Sequence, residues 1–508
     1  MVQRNVVVLG SGVAGLTAAV AAAEAGATVQ LFEKSPLLGG TTALSGGVAW
    51  MPVNHLMPIA GVEDTKREAL DYLLEIAEGD LDRDLLDVMV NEALETAKWV
   101  EEITPLNWQS VPYPDYHSEK KGAKLGHRSL EPQGWSPSSE IIGLLRSAPN
   151  VVAPISYREL IEGIPDRKEL EDRKKQGMVT MGRALLASLV SAAFKFGVQI
   201  ETDRSYSSLS ELPKSVSVIL ATGGFERNAD LCEKYLGGSM IAPTGAPGLK
   251  GDAVSIGQEA RADFWNMTEA WWCPAIEIPG EKIGGEPFYR LLLTERARPG
   301  SLIVDCTGKR FLNESSNYND AGRTVSKLAN GENQETSAWM VFDTKYRSKY
   351  HLGPLRREDS DPSWLSVGSS IAELGSILDI PVEQFESTVE RFNSFAASGS
   401  DPDFKRGESA YDLFVGDLGA QHPNLRPLTD PPFYALAVKP GCLGTKGGPR
   451  IDSEGRVIRE GKAIPRLYAA GNAAGSPLGT AYPGAGGTIG PHLVFSRRAG
   501  LAAANDIL

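Results

Sequence analysis

The stretch that decides the fold is VVVLGSGVAG, residues 6–15, close to the start of the chain. An apolar strand pattern leads directly into Gly-x-Gly-x-x-Gly at Gly10, Gly12 and Gly15, and an alanine-rich helix pattern follows. Gly10 permits the tight turn, Gly12 lets the backbone approach a pyrophosphate, and Gly15 lets the helix pack on the strand. The helix N-terminus adds unpaired N–H groups and partial positive charge for the phosphates. The sequence therefore predicts a dinucleotide-binding βαβ unit.

The residues around this turn complete the unit. We expect a strand at 5–9, a helix at 13–26 and a second strand at 28–32. The second strand ends at Glu33, whose carboxylate is placed to accept hydrogen bonds from a ribose. The spacing between Gly15 and Glu33 is typical of this fingerprint, which makes the motif far more specific than glycines alone.

The segment KSPLLGGTTALSGGVAWMP, residues 34–52, favours FAD over NAD as the dinucleotide. Its two glycine pairs enclose small hydroxyl-bearing residues that would line a diphosphate and a flat ring. The turns ILATGG at 219–224 and LYAAGN at 467–472 each follow a strand and suit the same extended cofactor. The residues that we expect to bind it are Gly10, Ser11, Gly12, Val13, Ala14, Gly15, Glu33, Lys34, Gly39, Gly40, Thr41, Thr42, Ser45, Gly46, Gly47, Ala221, Thr222, Gly223 and Gly471.

Composition excludes several classes of protein. The net charge of −13 argues against a nucleic-acid partner, whose phosphates would repel the chain. The four cysteines, with no Cys-x-x-Cys, fit reduced structural thiols in a cytoplasmic protein. Six scattered histidines give no metal-ligand pattern. No run of apolar residues is long enough for a transmembrane segment, although peripheral membrane contact stays open.

The order of patterns along the chain predicts an interrupted domain. Two helical stretches, about 63–78 and 82–103, follow the first unit, and Asp64 and Thr65 are candidate caps for the first of them. From about 275 to 435 the chain is rich in Pro, Gly, Asn and charged residues, with scattered short elements. We therefore expect an α/β fold in which a Rossmann-like FAD-binding domain is interrupted by an α+β insert that caps the substrate. Its parts are residues 1–274, the insert 275–436, and residues 437–508.

The stretch TAYPGAGGTIGPH, residues 480–492, holds four glycines where a turn needs only one or two. A backbone this bare predicts that something other than protein lies against it. The single tyrosine of the stretch, Tyr482, would then stand beside a bound molecule.

Taken together, these motifs resemble the 3-ketosteroid Δ1-dehydrogenases, within the flavoproteins related to fumarate reductase. The resemblance covers nearly the whole chain and is carried by GGTTALSGGVAWMP, DYHSE, GHRSLEP, EAWWCP, PGSLIVDCTGKRFLNESSNY, DPDFKRGESAYD, PPFYALAVKPGCLGTKGG and YPGAGGTIGP. It implies FAD that is not covalently bound, because Thr41-Thr42-Ala43 stands where tethered relatives have a histidine. It also implies that Asn472 holds the ribityl chain and that Gly487, Thr488 and Ile489 face the pyrimidine edge of the flavin.

The resemblance also implies the catalytic residues for desaturation beside a ketone. Such a reaction needs a polarised carbonyl, loss of a proton from the α-carbon and transfer of a hydride from the β-carbon to flavin N5. Tyr482 and the Gly486 N–H would polarise the carbonyl, and Tyr318 would take the proton. A phenol is a poor base at neutral pH, so Tyr318 needs an assistant. Tyr116 matches the family best, with Tyr113 and His117 as alternatives.

One departure bears on the substrate. The segment AAGSPLGTA, with Pro477 and Leu478, differs from the family pattern, so a ring ketone smaller than a steroid is also plausible. Three functions remain open: a dehydrogenase of a 3-ketosteroid or related cyclic ketone with an unidentified electron acceptor, an ene-reductase of the fumarate reductase type, and a non-catalytic flavin-binding protein. The ene-reductase would need an arginine proton donor and histidines that clamp a dicarboxylate. The tyrosines at 318 and 482 instead favour a neutral ketone.

Overall fold

The computed structural model describes residues 5–79, 81–149, 154–211, 215–238, 240, 242–329 and 338–506. The strands are β1 Asn5–Leu9, β2 Thr28–Phe32, β3 Ala49–Trp50, β4 Trp108–Val111, β5 Ser129–Pro132, β6 Gln199–Glu201, β7 Ser217–Leu220, β8 Ala242–Pro243, β9 Phe264–Trp265, β10 Ala270–Ile283, β11 Glu286–Leu291, β12 Ser301–Asp305, β13 Ala338–Asp343, β14 Ser366–Gly368, β15 Phe433–Thr445, β16 Gly448–Pro449, β17 Arg456–Arg459 and β18 Lys462–Ala469. The helices are α1 Val13–Glu24, α2 Lys66–Ile76, α3 Arg83–Ile103, α4 Ser139–Leu144, α5 Tyr157–Glu162, α6 Arg167–Lys175, α7 Met181–Lys195, α8 Ala229–Leu236, α9 Asp252–Glu259, α10 Tyr318–Ala329, α11 Thr344–Lys349, α12 Ile371–Ile377, α13 Val382–Ser398, α14 Ala410–Val415 and α15 Ile489–Asn505.

The first sheet has the strand order β17-β18-β7-β1-β2-β6. All its pairs are parallel except β17 with β18 at the edge. Helix α1 packs against α15 and α7, which bring two distant parts of the chain onto the sheet. A Cβ on Gly15 would lie 1.9 Å from the Gly10 carbonyl oxygen, so this glycine is required for packing, as expected. The predicted βαβ unit and α/β fold are confirmed, although α1 ends two residues earlier than expected.

The second sheet has the order β11-β10-β15-β13-β12, and β8 and β14 also pair with β15. The expectation of short elements in this part of the chain was wrong, because β10 has 14 residues, β15 has 13 and α13 has 17. Prolines and glycines gave the misleading signal. Pro274 and Pro440 lie opposite each other in the β10–β15 pair, and the two strands continue past both of them.

Side chains alternate between the two faces of this sheet. Leu302 and Val341 point toward the side covered by α13, whereas their neighbours Ile303 and Met340 belong to the opposite cluster. Val325 of α10 packs in that opposite cluster. Helix α10 also lies close to β10, because a Cβ on Gly322 would come within 2.3 Å of the Cys273 nitrogen. This close packing fixes the position of Tyr318, the first residue of α10.

The predicted limits of the insert, 275 and 436, fall inside β10 and β15. These two strands pair with each other over Ala270–Ala275 and Lys439–Thr445, so the insert would begin and end along one antiparallel ladder. The three-part division stays a prediction.

Among the described residues, no helix combines the length and apolarity that crossing a bilayer requires. No group of ligand side chains in the described part of the chain is arranged to hold a metal ion.

Helix α2 begins where the sequence placed a cap. Thr65 is the N-cap, and its side chain accepts a hydrogen bond from the Glu68 nitrogen. The other candidate, Asp64, has a different role, since it forms a buried ion pair with Arg128 at 2.7 Å.

The segment DPDFKRGESAYD, residues 401–412, organises the region around the second sheet through buried charges. Arg406 donates to the Glu314 carboxylate at 3.1 Å, and Asp401 pairs with Arg310 at 2.8 Å. Arg310 also pairs with Glu314 at 2.7 Å. Glu314 is 0% exposed, and its position between two arginines outweighs the effect of burial and lowers its pKa to about 2.

We expect Glu314→Gln to destabilise the protein by about 3–5 kcal/mol at neutral pH, because it leaves two buried guanidinium groups without their shared carboxylate. The folded-state pKa of Glu314 lies below its usual value near 4.5, so this stabilisation is present above pH 4.5 and disappears as pH falls toward 2. Thermal unfolding at neutral pH measures the loss. The exposed Glu408→Gln is the control, and equal melting temperatures for both variants would contradict the account.

Candidate active site

A cleft lies at the carboxyl ends of β1, β2, β7 and β18, where ligands of open α/β sheets bind. Its volume is about 880 Å³, including a part that is open to solvent. The predicted cofactor residues that line it are Gly10, Ser11, Gly12, Val13, Ala14, Glu33, Lys34, Gly40, Thr41, Thr42, Ala221, Thr222, Gly223, Gly471 and Asn472. The structure thus brings together four segments that are far apart in the sequence.

Other predicted residues do not line this cleft: Gly15, Gly39, Ser45, Gly46, Gly47, Gly487, Thr488 and Ile489. Several of these glycines are needed for packing against α7. A Cβ on Gly39 would lie 2.5 Å from Leu186, and one on Gly47 would lie 2.4 Å from the Met181 backbone.

The cleft also contains residues that sequence reasoning missed, among them Phe32, Arg146, Arg204, Tyr206, Asp252 and His492. Most of them carry no local motif, because they reach the cleft through folding of distant segments. His492 could have been found, since it ends the glycine-rich stretch 480–492. Burial lowers the pKa of His492 to about 4, so its imidazole is neutral at pH 7.

Glu33 is 8% exposed and anchors the glycine turn. Its carboxylate accepts hydrogen bonds from the Ser11 nitrogen at 3.0 Å and the Ser11 hydroxyl at 2.6 Å, and from the Ser35 nitrogen at 2.9 Å. The acid predicted to hold a ribose therefore also holds the phosphate-binding turn in place.

The donors and acceptors of the cleft fit an extended dinucleotide. A Cβ on Gly12 would meet only the Thr42 hydroxyl, at 3.9 Å, so the backbone there is open to a close approach. Thr222 Oγ1 and Arg146 Nε line or adjoin the cleft, are buried, and have no hydrogen-bond partner in the described part of the protein. Glu226 does not line the cleft, but both of its carboxylate oxygens are also buried without a hydrogen-bond partner in the described part of the protein, and burial raises its pKa to about 6. Unsatisfied buried groups of this kind indicate a polar ligand.

Next to the cleft, the structure brings three predicted catalytic tyrosines together. The Tyr318 hydroxyl donates to the Tyr482 hydroxyl at 2.5 Å. The Tyr116 ring stacks on Tyr482, with centroids 5.2 Å apart, and contacts Tyr318 edge-on at 5.4 Å. Trp271 connects this cluster to the cleft, since its ring meets Tyr482 at 5.2 Å and its Nε1 donates to Asn472 at 2.9 Å.

Burial keeps these phenols protonated. It raises the pKa of Tyr482 to about 12 and raises the pKa of Tyr318 and Tyr116 well above their usual value near 10. The hydroxyl of Tyr116 partly opposes the effect of burial on Tyr318, so the pKa of Tyr318 is raised less than burial alone would raise it. At neutral pH, Tyr482 is thus a hydrogen-bond donor, and Tyr318 needs help to accept a proton.

The three candidate assistants of Tyr318 lie in different places. Tyr116 contacts Tyr318 directly. Tyr113 contacts Tyr116 at 6.1 Å between ring centroids, and the His117 imidazole faces Asp320 at 3.7 Å. The geometry therefore favours Tyr116 as the assistant.

Packing against protein accounts for two glycines of the glycine-rich turn. A Cβ on Gly486, which has φ +85°, would lie 2.4 Å from the Val48 oxygen, and one on Gly490 would lie 2.1 Å from the Trp50 oxygen. Protein packing alone therefore requires glycine at both positions, because Val48 and the β3 residue Trp50 lie directly against them. That a non-protein molecule also lies against this turn stays a prediction. Within the described residues, the Gly486 N–H donates no hydrogen bond to a backbone carbonyl oxygen, which leaves this donor available.

Two cations hold the chain just before Tyr482. Lys446 donates to the carbonyl oxygens of Gly479 at 3.0 Å and Ala481 at 2.9 Å, and Arg323 donates to Thr480 at 3.1 Å. Burial lowers the pKa of Lys446 well below its usual value. Because Arg323 belongs to α10, these bonds tie the helix of Tyr318 to the turn of Tyr482. Sequence reasoning gave no signal for Lys446.

Known proteins resemble this chain over nearly its whole length. The family model described as FAD binding domain matches residues 5–489. The chain is 36% identical to 4-oxocyclohexanecarboxylate 2-dehydrogenase of Sinomonas cyclohexanicum, over 98% of this chain and 92% of that protein. It is 34% identical to 3-oxosteroid 1-dehydrogenase of Mycobacterium tuberculosis, over 99% of this chain and 98% of the relative.

A solved structure shares the whole fold. The 3-ketosteroid delta1-dehydrogenase of Sterolibacterium denitrificans, in complex with 1,4-androstadiene-3,17-dione, superposes with a TM-score of 0.91 at 29% identity. The match covers 99% of this chain and 100% of that one. The chain therefore belongs to the FAD binding domain family, and it is an FAD-dependent dehydrogenase.

Proposed function

We propose that this enzyme introduces a carbon–carbon double bond next to the carbonyl group of a cyclic ketone. The observation that carries the proposal is the hydroxyl pair of Tyr318 and Tyr482, buried beside the cofactor cleft and connected to it through Trp271. A neutral ketone suits this environment, because it needs donors for one oxygen and a proton acceptor for one carbon.

Each residue has a defined role in this proposal. The Tyr482 hydroxyl and the Gly486 N–H donate to the ketone oxygen and stabilise the negative charge that develops there as the α-proton leaves. Tyr318 accepts that proton, and Tyr116 stabilises the phenolate form of Tyr318. Bound FAD supplies the acceptor for the hydride that leaves the β-carbon.

The opposite reaction, ene-reduction of a dicarboxylate, is supported less well. The groups that surround the reacting position are phenols, and the His117 ring is turned toward Asp320. The relatives at 34–36% identity are named for ketosteroids and for 4-oxocyclohexanecarboxylate, and both compounds are cyclic ketones. We propose a substrate of this class, with an electron acceptor yet to be identified and with action in the cytoplasm.

Turnover with an artificial electron acceptor tests the proposal. We expect purified enzyme to reduce the acceptor when it is given a 3-ketosteroid or 4-oxocyclohexanecarboxylate, with a product that is lighter by two hydrogens. Inactivity with both ketones, or activity only as a reductase of the corresponding enones, would overturn the proposed direction of reaction.

We further expect FAD to be bound without a covalent bond, because Thr41 and Thr42 follow the double glycine and neither is a histidine. Acid precipitation should leave the yellow colour in the supernatant, and a yellow pellet would refute this prediction.

Glu33→Ala should raise the Kd of FAD about 10–100-fold, since it removes a ribose acceptor and loosens Ser11. Unchanged affinity in that variant would show that the ribose lies elsewhere.

A further inference from the structure

We propose that Arg296, with Tyr113 and Tyr411, forms a subsite for a carboxylate, so that the cyclic ketone converted by this enzyme carries an acid group. The inference rests on the proposed function and adds to it the chemical class of the substrate. It assigns a role to a buried guanidinium whose Nη2 has no hydrogen-bond partner among the described residues.

Arg296 differs from the other fully buried arginines. Arg128 pairs with Asp64 and Asp115, and Arg406 pairs with Glu314. Arg296 is 1% exposed, and its guanidinium forms no ion pair with the described residues. Glu295 and Asp412 act on it only from a longer distance, where their charges partly oppose the lowering of its pKa by burial.

The guanidinium is only partly satisfied. Its Nε donates to the Leu292 carbonyl oxygen at 3.2 Å, and its Nη1 donates to the Glu314 carbonyl oxygen. Its Nη2 is buried and has no hydrogen-bond partner in the part of the chain that the structure describes. Burying a cation without a counter-charge is costly, and a buried donor without an acceptor adds to that cost. A bound anion would remove both costs.

Two further donors lie beside this cation. Tyr113 and Tyr411 are 3% and 1% exposed, and their ring centroids are 5.9 Å apart. Within the described residues, neither hydroxyl forms a hydrogen bond of ordinary geometry, although the Tyr411 hydroxyl lies near enough to Tyr113 to lower its pKa. Burial raises the pKa of both phenols, and the positive charge of Arg296 opposes that shift, which places the guanidinium close to both. Three unsatisfied donors in one buried place are the complement of a carboxylate.

The subsite is one aromatic ring away from the reacting groups. The Tyr411 ring contacts Tyr116 edge-on at 5.1 Å, and Tyr116 stacks on Tyr482 at 5.2 Å. In this proposal, the ring of the substrate lies between Tyr482 and Arg296, with its ketone and its carboxylate at opposite ends. A ketone with only apolar groups at that end would leave the three donors unpaired, which disfavours its binding.

Paired substrates test the subsite directly. We would measure kcat/KM for 4-oxocyclohexanecarboxylate and for its methyl ester, which has the same ring without the charge. In the wild type, we expect kcat/KM for the acid to exceed that for the ester by about 10²-fold or more, mainly through KM. In Arg296→Met, the ratio of the two values should fall about 10²-fold.

A matched control and a milder variant protect the test. Arg290→Met removes an arginine that is already paired with Glu281 at 2.7 Å and should leave the acid-to-ester ratio unchanged. If Arg296→Met does not fold, Tyr411→Phe should still lower the ratio, by about 10-fold. The Kd of cyclohexanecarboxylate, measured from the perturbed flavin spectrum, should rise in parallel in either variant.

The outcomes separate this inference from the proposed function. If the wild type converts the ester or a 3-ketosteroid with the same kcat/KM as the acid, the proposed reaction stands and the subsite is overturned. The subsite is also overturned if the acid-to-ester ratio of Arg296→Met equals the wild-type ratio. If Arg296→Met does not fold, the same comparison is made with Tyr411→Phe. Inactivity of the wild type with all three ketones contradicts the proposed function itself.

Discussion

Tyr318→Phe should lower the rate at which substrate reduces the bound flavin by about 10²–10⁴-fold, because it removes the group that accepts the α-proton. The ring remains, so its edge contact with Tyr116 and the position of α10 should persist. Substrate binding should stay nearly intact. Rapid-mixing absorbance of the flavin under anaerobic conditions measures the rate, and substrate titration measures binding.

The pH dependence of wild-type activity provides a second readout for Tyr318. A base must be deprotonated to act, and burial raises the pKa of Tyr318 well above its usual value. Activity should therefore rise with pH through the neutral range. As long as the pH is below the pKa of Tyr318, the fraction of phenolate increases with every unit by which the pH rises. Exchange of α-hydrogens in heavy water identifies the base in the same way. Exchange that persists undiminished in Tyr318→Phe would transfer the role to another group, with Tyr116 and His117 as the next candidates.

Tyr482→Phe should lower kcat by about 10²–10³-fold, the typical cost of one lost oxyanion donor. FAD content should remain normal, since Tyr482 does not line the cleft and is connected to it through Trp271. The variant also leaves the buried Tyr318 hydroxyl without its acceptor, so a loss of about 1 kcal/mol in stability should accompany the kinetic effect.

Tyr350→Phe is the matched control for both tyrosine variants. It deletes a phenol hydroxyl that donates to Asp417, away from the cluster around Tyr482. We expect its kcat to match that of the wild type. Full activity in Tyr482→Phe would show that the ketone oxygen binds elsewhere, and equal losses in all three variants would indicate a general effect of the substitution.

The parts that the sequence predicted well depend on local patterns. The turn at Gly10–Gly15 needs its glycines for reasons that act within a few residues, and the paired strands, the helix and Glu33 follow the same local logic. The cofactor cleft was predicted through four such turns, each after a strand. The segment DPDFKRGESAYD, one of the stretches that carry the family resemblance, contributes buried ion pairs to the region around the second sheet.

The parts that could not be predicted depend on contacts between distant segments. Lys446 and Arg323 show no motif, and their role exists only because folding places three successive carbonyl oxygens before them. Tyr411 was assigned no chemistry, yet its ring reaches Tyr116. The turn at 480–492 shows the same limit, because composition reveals a close approach but cannot tell protein from ligand.

Single-turnover oxidation tests the central claim most directly. Enzyme with oxidised FAD would be mixed anaerobically with 4-oxocyclohexanecarboxylate, or with a 3-ketosteroid, and no added electron acceptor. The account predicts that the flavin loses its visible colour and that one equivalent of the conjugated enone forms per flavin. Flavin that stays oxidised with both ketones, or that is reduced without formation of an enone, would contradict desaturation next to a ring ketone.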